Sequence, residues 1–318
     1  MSSAYLLVGP TAAGKSAVAH WIAERGPYEI LSADSMLVYT GMDIGTDKPS
    51  AAARSHVTYH GLDLTTPDRA FSVWAYQESA QRSLAAIARR GRRAIVAGGT
   101  GLYVKSLTHG LAATRGPDAA ARAMWESVLA ERGVEALQEA LRDRAPALYD
   151  ALPDKQNARR LVRALEMAEA GPDAAQPTWE RLAHGAPMAA LSLPAEDLKL
   201  RIESRVSAMY QKGLFDEVRS LLQRYGTLSD TARHAIGYAE AIAVLEGRCA
   251  ENEARRTTAQ RTWQLARRQR TWFRHQARVE WLEITAGSDV AETAGRVLAH
   301  WQRHGPTELM TAERMEDT

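Results

Sequence analysis

The stretch Gly9–Ser16 combines residue types at a spacing that suits phosphate chemistry. It reads GPTAAGKS and fits the phosphate-loop pattern G-x-x-x-x-G-K-[ST]. The apolar run before it predicts a buried strand and KSAVAHWIAE after it predicts a helix, which is the context that such a loop requires. Backbone amides and the Lys15 ammonium would hold a phosphate group, and the Ser16 hydroxyl would bind Mg²⁺ as the cofactor. The predicted phosphate site comprises Gly9, Pro10, Thr11, Ala12, Ala13, Gly14, Lys15 and Ser16. The same loop fits ATP and any other diphosphate ester.

A carboxylate, Asp34, directly follows the second predicted strand, YEILS. Ligands of parallel α/β sheets bind at the carboxyl ends of the strands. We therefore expect Asp34 to face the same crevice as the phosphate loop. An aspartate at this point can also simply cap a turn, and the residues alone leave both roles open.

The strand in RRAIVAGGTG ends in glycines, where nucleotide-hydrolysing proteins usually place an aspartate that holds Mg²⁺. Glycines at a strand end predict a close backbone approach to a ligand. The pattern argues against an ATP-driven motor or switch. Small-metabolite kinases often lack this aspartate too, so it does not exclude them.

Residues 255–278 form a strongly basic segment with eight arginines, three aromatic residues and no acidic residue. A helix face that is merely solvated would contain interspersed acids, so the segment favours a polyanionic partner such as a nucleic acid. Trp263 could stack on a base or anchor the helix, and for Trp272 and Phe273 we favour the core. A second basic cluster, NARRLVRALE, spans residues 157–166.

Strand-like and helix-like segments alternate over residues 4–110, which predicts an α/β fold with a mostly parallel sheet flanked by helices. Between Pro117 and Pro187 the strand signals stop, and helices are broken at Gly133 and Pro146, among other points. Strands return at 189–193 and 279–284, and a final helix follows. We divide the chain into a P-loop core (1–115), an all-helical insertion domain (116–188), the completion of the core (189–305) and a disordered tail (306–318).

The whole chain of 318 residues has a formal net charge of +2 and a single cysteine, Cys249, which rules out disulfides within the chain. No apolar run is long enough to span a membrane, and the first residues lack a signal-peptide pattern. We expect a cytoplasmic, soluble enzyme that is monomeric and has no membrane partner.

Six motifs together resemble the tRNA dimethylallyltransferases, and they occur in the order seen in that family over roughly residues 5–285. The motifs are GPTAAGKS, SADSMLVYTGMDIGTDKP, GGTGLYVKSL, NARRLVRALE, AIGYAE and LARRQRTWFR. The resemblance implies that a P-loop core and a helical insertion domain together grip the anticodon stem-loop of tRNA. It also implies that the loop holds dimethylallyl diphosphate, whose prenyl group moves to the exocyclic amine of adenosine-37.

The resemblance also implies roles for individual residues. Asp34 stands at the general-base position of the family, and Lys15 and Thr100 complete the catalytic set. The residues that the resemblance assigns to tRNA binding are Asp34, Ser35, Met36, Leu37, Thr100, Arg122, Arg159, Arg160, Arg163, Arg233, His234, Arg267, Arg268, Arg270 and Arg274. Met36 and Leu37 replace polar residues of many relatives, and either Arg233 or His234 can fill the position of a functional arginine.

Two other functions compete with this interpretation. One is an ATP-using P-loop transferase, either a small-molecule kinase or a prenyltransferase that acts on free adenine nucleotides. The other is a non-catalytic RNA-binding protein that uses its phosphate loop as a ligand sensor. The arginine-rich segment argues against the first, because a small substrate does not need it, and Asp34 beside the phosphate site argues against the second.

Overall fold

The computed structural model describes residues 2–111, 119–171 and 187–310, and these contain one seven-stranded sheet. The strands are β1 (Ser2–Val8), β2 (Tyr28–Ser32), β3 (Tyr59–His60), β4 (Arg93–Gly98), β5 (Met188–Ser192), β6 (Val279–Glu283) and β7 (Thr307–Leu309). Six strands are parallel in the order β3-β2-β4-β1-β5-β6, while β7 pairs with β1 in the antiparallel direction. The predicted α/β fold with a mostly parallel sheet is confirmed.

Helices account for most of the remaining described residues. They are α1 (Lys15–Arg25), α2 (Ala51–His56), α3 (Val73–Arg89), α4 (Gly101–His109), α5 (Ala119–Arg144), α6 (Pro146–Ala151), α7 (Ala158–Glu169), α8 (Ala195–Gln211), α9 (Leu214–Tyr225), α10 (Asp230–Arg233), α11 (Tyr238–Leu245), α12 (Glu251–Gln276) and α13 (Val290–His304). No helix of the described residues is both long enough and apolar enough to cross a bilayer.

The chain divides into two compact units, and each has its own apolar core. One unit joins residues 1–110 and 181–318 and contains the sheet, whereas the other comprises residues 111–180. In the second unit, α5 and α7 pack around Trp125, Leu137 and Leu161. Helix α5 is interrupted at Gly133, whose φ of 79° favours glycine. Pro146 opens α6, where its missing N–H costs nothing. Both breaks are those that the sequence predicts.

The amino acids of the central strands explain their position in the sheet. All five residues of β2 are buried, and β1 is buried from Leu6 to Val8. Parallel strands are covered by helices on both faces and therefore read as continuous apolar runs. The carboxyl ends of β2, β4 and β1 consequently lie side by side, with Val8 paired with Gly98 and Ser32 with Ala97.

The prediction that residues 306–318 form a disordered tail is wrong for its first part. Thr307–Leu309 form β7, which pairs with Ser2–Ala4, and the backbone of Met310 donates to the Leu107 carbonyl. A three-residue strand is too short for its alternation of buried and exposed residues to be recognised in a sequence. Residues 311–318 lie outside the described residues. Strand β5 begins one residue earlier than predicted, at Met188, the last residue of the predicted insertion.

The glycines at the end of β4 leave room for neighbouring parts of the protein, and Gly98 and Gly99 also line the cavity at the carboxyl ends of the strands. The close approach of a ligand to them stays a prediction. A Cβ on Gly98 would lie 2.2 Å from the carbonyl oxygen of Ala33, in the segment that leads to Asp34. A Cβ on Gly101 would lie 2.3 Å from the Trp272 ring. The missing side chains therefore allow the end of β4 to pack closely against the turn after β2 and the start of α4 to pack against α12.

We predict that Gly98→Ala destabilises the protein by about 3 kcal/mol or more, because a backbone carbonyl cannot move aside as a flexible side chain can. The matched control is Gly287→Ala, since no heavy atom lies within 4 Å of a Cβ built there. Urea unfolding of both variants measures the difference. Equal stabilities for the two variants would show that the turn after β2 adjusts without cost.

Candidate phosphate-binding site

The phosphate loop has the backbone of an anion-binding concavity. Gly9, Ala12 and Gly14 have φ values of 133°, 62° and 87°, so left-handed residues recur along the loop. Helix α1 then begins at Lys15 without a side-chain cap on its first amides. Uncapped amides at a helix N-terminus and a loop with alternating conformations are both features that bind anions. A Cβ on Gly9 would lie 2.6 Å from the Leu191 carbonyl oxygen, so only glycine fits there.

Lys15 is buried inside this loop, where its ammonium group donates to the Pro10 carbonyl oxygen at 2.6 Å. The pKa of Lys15 is lowered to about 8, mainly because the side chain is buried; the charge of Asp34 partly opposes this shift and the charge of Arg205 adds to it. Asp34 and Arg205 therefore both act electrostatically on Lys15. In the absence of a bound anion, too little negative charge lies near Lys15 to offset its burial. A bound phosphate would therefore raise the pKa of Lys15 again.

Gln269 on α12 connects the phosphate loop to the end of β4, which sequence reasoning missed. Its side-chain oxygen accepts from the Thr11 N–H at 2.8 Å, and its side-chain nitrogen donates to the Gly99 carbonyl oxygen at 3.0 Å. The Thr11 amide, predicted to hold phosphate, is therefore already occupied. A lone glutamine between arginines carries no signal of its own, so only the tertiary structure reveals this role.

Two further arginines of α8 reach the phosphate loop and were also missed. Arg205 donates to the Thr11 hydroxyl at 2.7 Å and to the Thr46 carbonyl oxygen at 3.1 Å. Arg201 binds the carbonyl oxygens of Thr285 and Ala286, and its guanidinium lies beside Gly14. The two arginines are four residues apart and so share a helix face. That spacing was the one available signal, and it is common on solvated helices.

Asp34 lies in a turn, and it is also part of the wall of the cavity described below. One carboxylate oxygen accepts from the Met36 N–H at 2.9 Å, which is the turn-capping role. The other oxygen has no hydrogen-bond partner among the described residues. Thr100 supports this turn, because its hydroxyl accepts from the Ser35 N–H at 3.0 Å and lies 3.3 Å from the Ser35 hydroxyl. One oxygen of Asp34 is thus free to accept a proton.

These groups surround a cavity of about 460 Å³ at the carboxyl ends of the strands. Its wall includes these predicted residues: Thr11, Ala12, Gly14, Lys15, Ser16, Asp34 and Leu37. Gly9, Pro10, Ala13, Ser35, Met36 and Thr100 are not part of that wall as far as the described chain shows. Four cationic side chains, Lys15, Arg201, Arg205 and Lys212, face two carboxylates there, Asp34 and Asp47. The excess of positive charge suits a multiply charged anion.

The loop of residues 43–48, which borders the cavity, is held by two charged side chains, the half-buried Glu217 and the buried Lys48. Glu217 accepts from the backbone amides of Asp43, Ile44 and Gly45 at 2.7–3.3 Å. Lys48 is buried and binds the carboxylates of Asp43 and Asp63 at 2.6 and 2.7 Å. The conspicuous lysine of the TDKP motif therefore shapes the cavity wall and does not enter the cavity.

The basic segment predicted from the sequence is the helix α12, and its arginines differ in their surroundings. Arg267, Arg268 and Arg274 are exposed and Arg270 is half-buried, and none of the four has a hydrogen bond or ion pair with a described residue. A groove of about 550 Å³ follows this face and is lined by Gln264, Arg267, Arg268, Thr271, Trp272, His275 and Gln276. Phe273 is fully buried and Trp272 packs on the core, as predicted.

Four of the other residues predicted to bind RNA, Arg122, Arg163, Arg233 and His234, already have acidic partners. In the insertion, Arg122 and Arg163 both bind the buried carboxylate of Glu166, at 2.5 and 2.8 Å. Arg159 and Arg160 on the same helix are exposed. In the unit with the sheet, Arg233 lies 3.5 Å from Glu246 and His234 lies 2.9 Å from Asp230, and both side chains are exposed.

A parallel α/β sheet with a phosphate loop after its first strand defines a P-loop protein. Similarity to known proteins shows to which family of P-loop proteins the chain belongs. The family model described as IPP transferase matches residues 37–276. The tRNA dimethylallyltransferase of Acidothermus cellulolyticus is 42% identical over 300 residues, which cover 93% of this chain and 93% of that protein. The corresponding protein of Kineococcus radiotolerans is 40% identical, with 92% and 94% covered.

Solved structures agree with the sequence relatives. The tRNA isopentenylpyrophosphate transferase of Bacillus halodurans is similar with a TM-score of 0.68 and 31% identity over all of both chains. A eukaryotic dimethylallyltransferase acting on tRNA has a TM-score of 0.72 at 20% identity, which supports the fold. The chain belongs to the IPP transferase family, and the resemblance seen in the sequence motifs is confirmed.

The lowered pKa of Lys15 predicts how anion binding depends on pH. A diphosphate should bind the protonated lysine, so affinity should be constant below pH 8 and fall about tenfold per unit above it. Calorimetric titration with a saturated alkyl diphosphate and Mg²⁺ between about pH 7 and pH 9.5 measures this, because the donor's own charge stays constant there.

The control for this titration is Lys15→Arg, since arginine stays protonated throughout the range. The variant should show no break near pH 8, even if its affinity is lower. A wild-type affinity that does not change with pH, or the same break in the arginine variant, would contradict the role of Lys15.

Proposed function

We propose that the protein transfers the dimethylallyl group of dimethylallyl diphosphate to the exocyclic amine of adenosine-37 in tRNA, giving isopentenyladenosine. The observation that carries this proposal is the common cavity of the phosphate loop and Asp34. A diphosphate held by the loop would present its ester carbon to a base whose amine faces the carboxylate. The relatives named as tRNA dimethylallyltransferases support the same reaction.

The proposed chemistry forms a C–N bond while the C–O bond to the diphosphate breaks. The diphosphate leaves with the bonding electron pair, so its negative charge rises in the transition state. Lys15, Arg201 and Arg205 would stabilise that charge, because cations already held in position act strongly on charge that develops in the transition state. The hydrogen bonds of the phosphate loop, including those to Gln269, would hold these cations in place, so that they need not move when the C–O bond breaks.

The adenosine amine is a weak nucleophile, since its lone pair is delocalised into the ring. Removal of its proton by a positioned carboxylate assists the attack. We assign this role to the carboxylate oxygen of Asp34 that does not cap the turn. Thr100 would act by fixing the turn through Ser35, and the half-buried Leu37 would border the base. The adenine must leave its stack to enter the cavity, which costs a few kcal/mol.

Mg²⁺ fits the donors that the cavity offers. The Ser16 hydroxyl is exposed at the start of α1 and belongs to the wall of the cavity. It is a hard oxygen donor of the kind that Mg²⁺ prefers, and Mg²⁺ keeps several waters and binds through substrate phosphates, so one protein ligand is enough. When bound, Mg²⁺ would neutralise part of the charge of the diphosphate.

The exposed arginines of α12 would supply the tRNA surface of this unit. They lie along a groove beside Trp272 and His275, and they lack acidic partners among the described residues. A kinase or a prenyltransferase for free nucleotides would have no need for such a surface. The exposed Arg159 and Arg160 of the insertion and the paired Arg122, Arg163, Arg233 and His234 are further candidates for phosphate contacts. A cytoplasmic location and a monomeric state remain predictions.

The reaction is tested by incubating the protein with labelled dimethylallyl diphosphate, Mg²⁺ and bulk tRNA. We expect label in the RNA, and nuclease digestion should release it as isopentenyladenosine. Free AMP and ATP in separate reactions test the small-substrate alternative. Label in the nucleotides and none in the RNA would reject the proposal.

We predict that Asp34→Asn lowers single-turnover transfer by about 10²–10⁴, the usual range for a lost general base. Asparagine retains the hydrogen bond to the Met36 amide, so the turn should remain. Both substrates should still bind, and both are used at saturation so that chemistry is measured. The control, Asp68→Asn, removes an exposed carboxylate elsewhere. A rate within about threefold of wild type would limit Asp34 to capping the turn.

We predict that the double variant Arg267→Gln/Arg268→Gln binds tRNA more weakly and with a smaller salt dependence. Each lost phosphate contact reduces the slope of log affinity against log salt by about one unit. The matched control is Arg25→Gln/Arg219→Gln, which removes two exposed arginines that pair with Glu24 and Asp216. Adding Arg270→Gln and Arg274→Gln should lower the slope further. Equal slopes in both double variants would exclude this face of α12.

A further inference from the structure

A cluster of three metal-ligating side chains lies far from the phosphate loop in the fold. Glu280 is the second residue of β6, and His300 and His304 are one turn apart on α13. One donor atom from each lies within 4.8 Å of the others. The phosphate loop follows the carboxyl end of β1, whereas this cluster lies where β5 and β6 begin. The phosphate loop therefore lies at the carboxyl ends of the parallel strands, and this cluster lies at their amino ends.

His300 is held in a state that leaves one ring nitrogen without a partner. Its Nε2 lies 2.8 Å from the carbonyl oxygen of Pro187, and a carbonyl only accepts, so Nε2 must donate. In the neutral ring the other nitrogen, Nδ1, then has a bare lone pair. That atom is buried in a side chain that is 0% exposed, and it has no hydrogen-bond partner among the described residues. A buried acceptor without a partner is costly.

The surroundings of Nδ1 are those of a metal ligand. It lies 3.3 Å from Glu280 Oε2, and the same oxygen lies 3.1 Å from His304 Nε2. Two ligand atoms bound to one tetrahedral zinc ion at about 2.0–2.1 Å are about 3.3 Å apart. Histidines that bind metals usually donate their other N–H to a carboxylate or a backbone carbonyl. The contact of His300 with Pro187 has that form.

Exposure also fits a metal with one open position. Arg303 binds Glu280 through Oε1 at 3.2 Å, which leaves Oε2 for the two histidines. The side chains of Glu280 and His304 are about one third exposed, at 34% and 29%, so water can reach this side of the cluster. Three protein ligands and a water complete a tetrahedral zinc ion. Two imidazoles favour zinc and its transition-metal neighbours over Mg²⁺.

We propose that Glu280, His300 and His304 bind one zinc-type divalent cation, with water as the fourth ligand. The ion joins α13 to β6, and through His300 it also orders Pro187, where the described chain re-enters the sheet at β5. The function of the ion is structural, since it lies at the amino ends of the strands, away from the phosphate loop at their carboxyl ends. The alternative is an ion-paired cluster, in which a protonated His300 faces Glu280 and no metal binds.

The test uses the full chain without a histidine tag, stripped of metal with a chelator. Zn²⁺ is titrated in competition with a chromophoric chelator, and Co²⁺ is added separately as a spectroscopic probe. We expect one tight site per chain, intense visible absorption from tetrahedral Co²⁺, and no competition by millimolar Mg²⁺. At a Zn²⁺ concentration about 100 times the Kd, the melting temperature should rise by about 4 °C.

Variants assign the site to these residues. His304→Gln and Glu280→Gln should each weaken zinc binding by at least about 100-fold, because losing a ligand costs more than losing a group that orients one. Both side chains are partly exposed, so these variants should fold, whereas His300→Gln alters a fully buried residue and serves only as a supplement. The control is His56→Gln, an exposed histidine on α2.

Two outcomes overturn the proposal. In the first, the chain shows no saturable zinc binding and no change in melting temperature, which indicates the ion-paired cluster. In the second, zinc binds but His304→Gln and Glu280→Gln bind as tightly as His56→Gln, which indicates binding by scattered surface histidines. Neither outcome affects the proposed transfer reaction, because no measurement here uses tRNA or the prenyl donor.

Discussion

Two hydrogen bonds of one side-chain amide hold the candidate site together. Gln269 accepts from the Thr11 N–H and donates to the Gly99 carbonyl oxygen, and these partners also determine which way the amide points. Each backbone group left unpaired in this position would cost about 1–3 kcal/mol. Gln269 thus joins α12 to the phosphate loop and to the end of β4. Because α12 also carries the exposed arginines, Gln269 fixes the position of the basic groove with respect to the cavity.

The second constraint is electrostatic. Lys15, Arg201 and Arg205 converge on one loop, and burial lowers the pKa of Lys15 to about 8. Holding cations together without an anion is unfavourable, and the rest of the fold must stabilise the arrangement. Glu217 and Lys48 do so from outside the cavity by fixing the loop of residues 43–48. A diphosphate would reverse the cost on binding, so the unliganded site is organised for a charged ligand.

Arginines of similar appearance in the sequence have different functions in the structure. Arg122 and Arg163 neutralise the buried Glu166, and Arg261 pairs with the buried Glu240. A buried carboxylate needs such partners, so these arginines contribute to folding whatever else they bind. Arg267 and Arg268 have no such partner among the residues described and line an open groove. The density of positive charge along the sequence therefore overstates the surface available to a polyanion.

The features that depend on local pattern could be predicted from the amino-acid sequence alone. The phosphate loop, the apolar strands, the breaks at Gly133 and Pro146 and the basic helix all follow from residue types at short spacing, and motif order was enough to identify the family. The tertiary structure decided which side chains meet. Arg205 and Gln269 are 194 and 258 residues from Thr11, and their sequence neighbourhoods resemble those of ordinary surface helices. Strand β7 could not be predicted either, because its three residues form a strand only where the start of β1 offers unpaired backbone groups. The cluster of Glu280, His300 and His304 also depends on tertiary packing, which brings these side chains together.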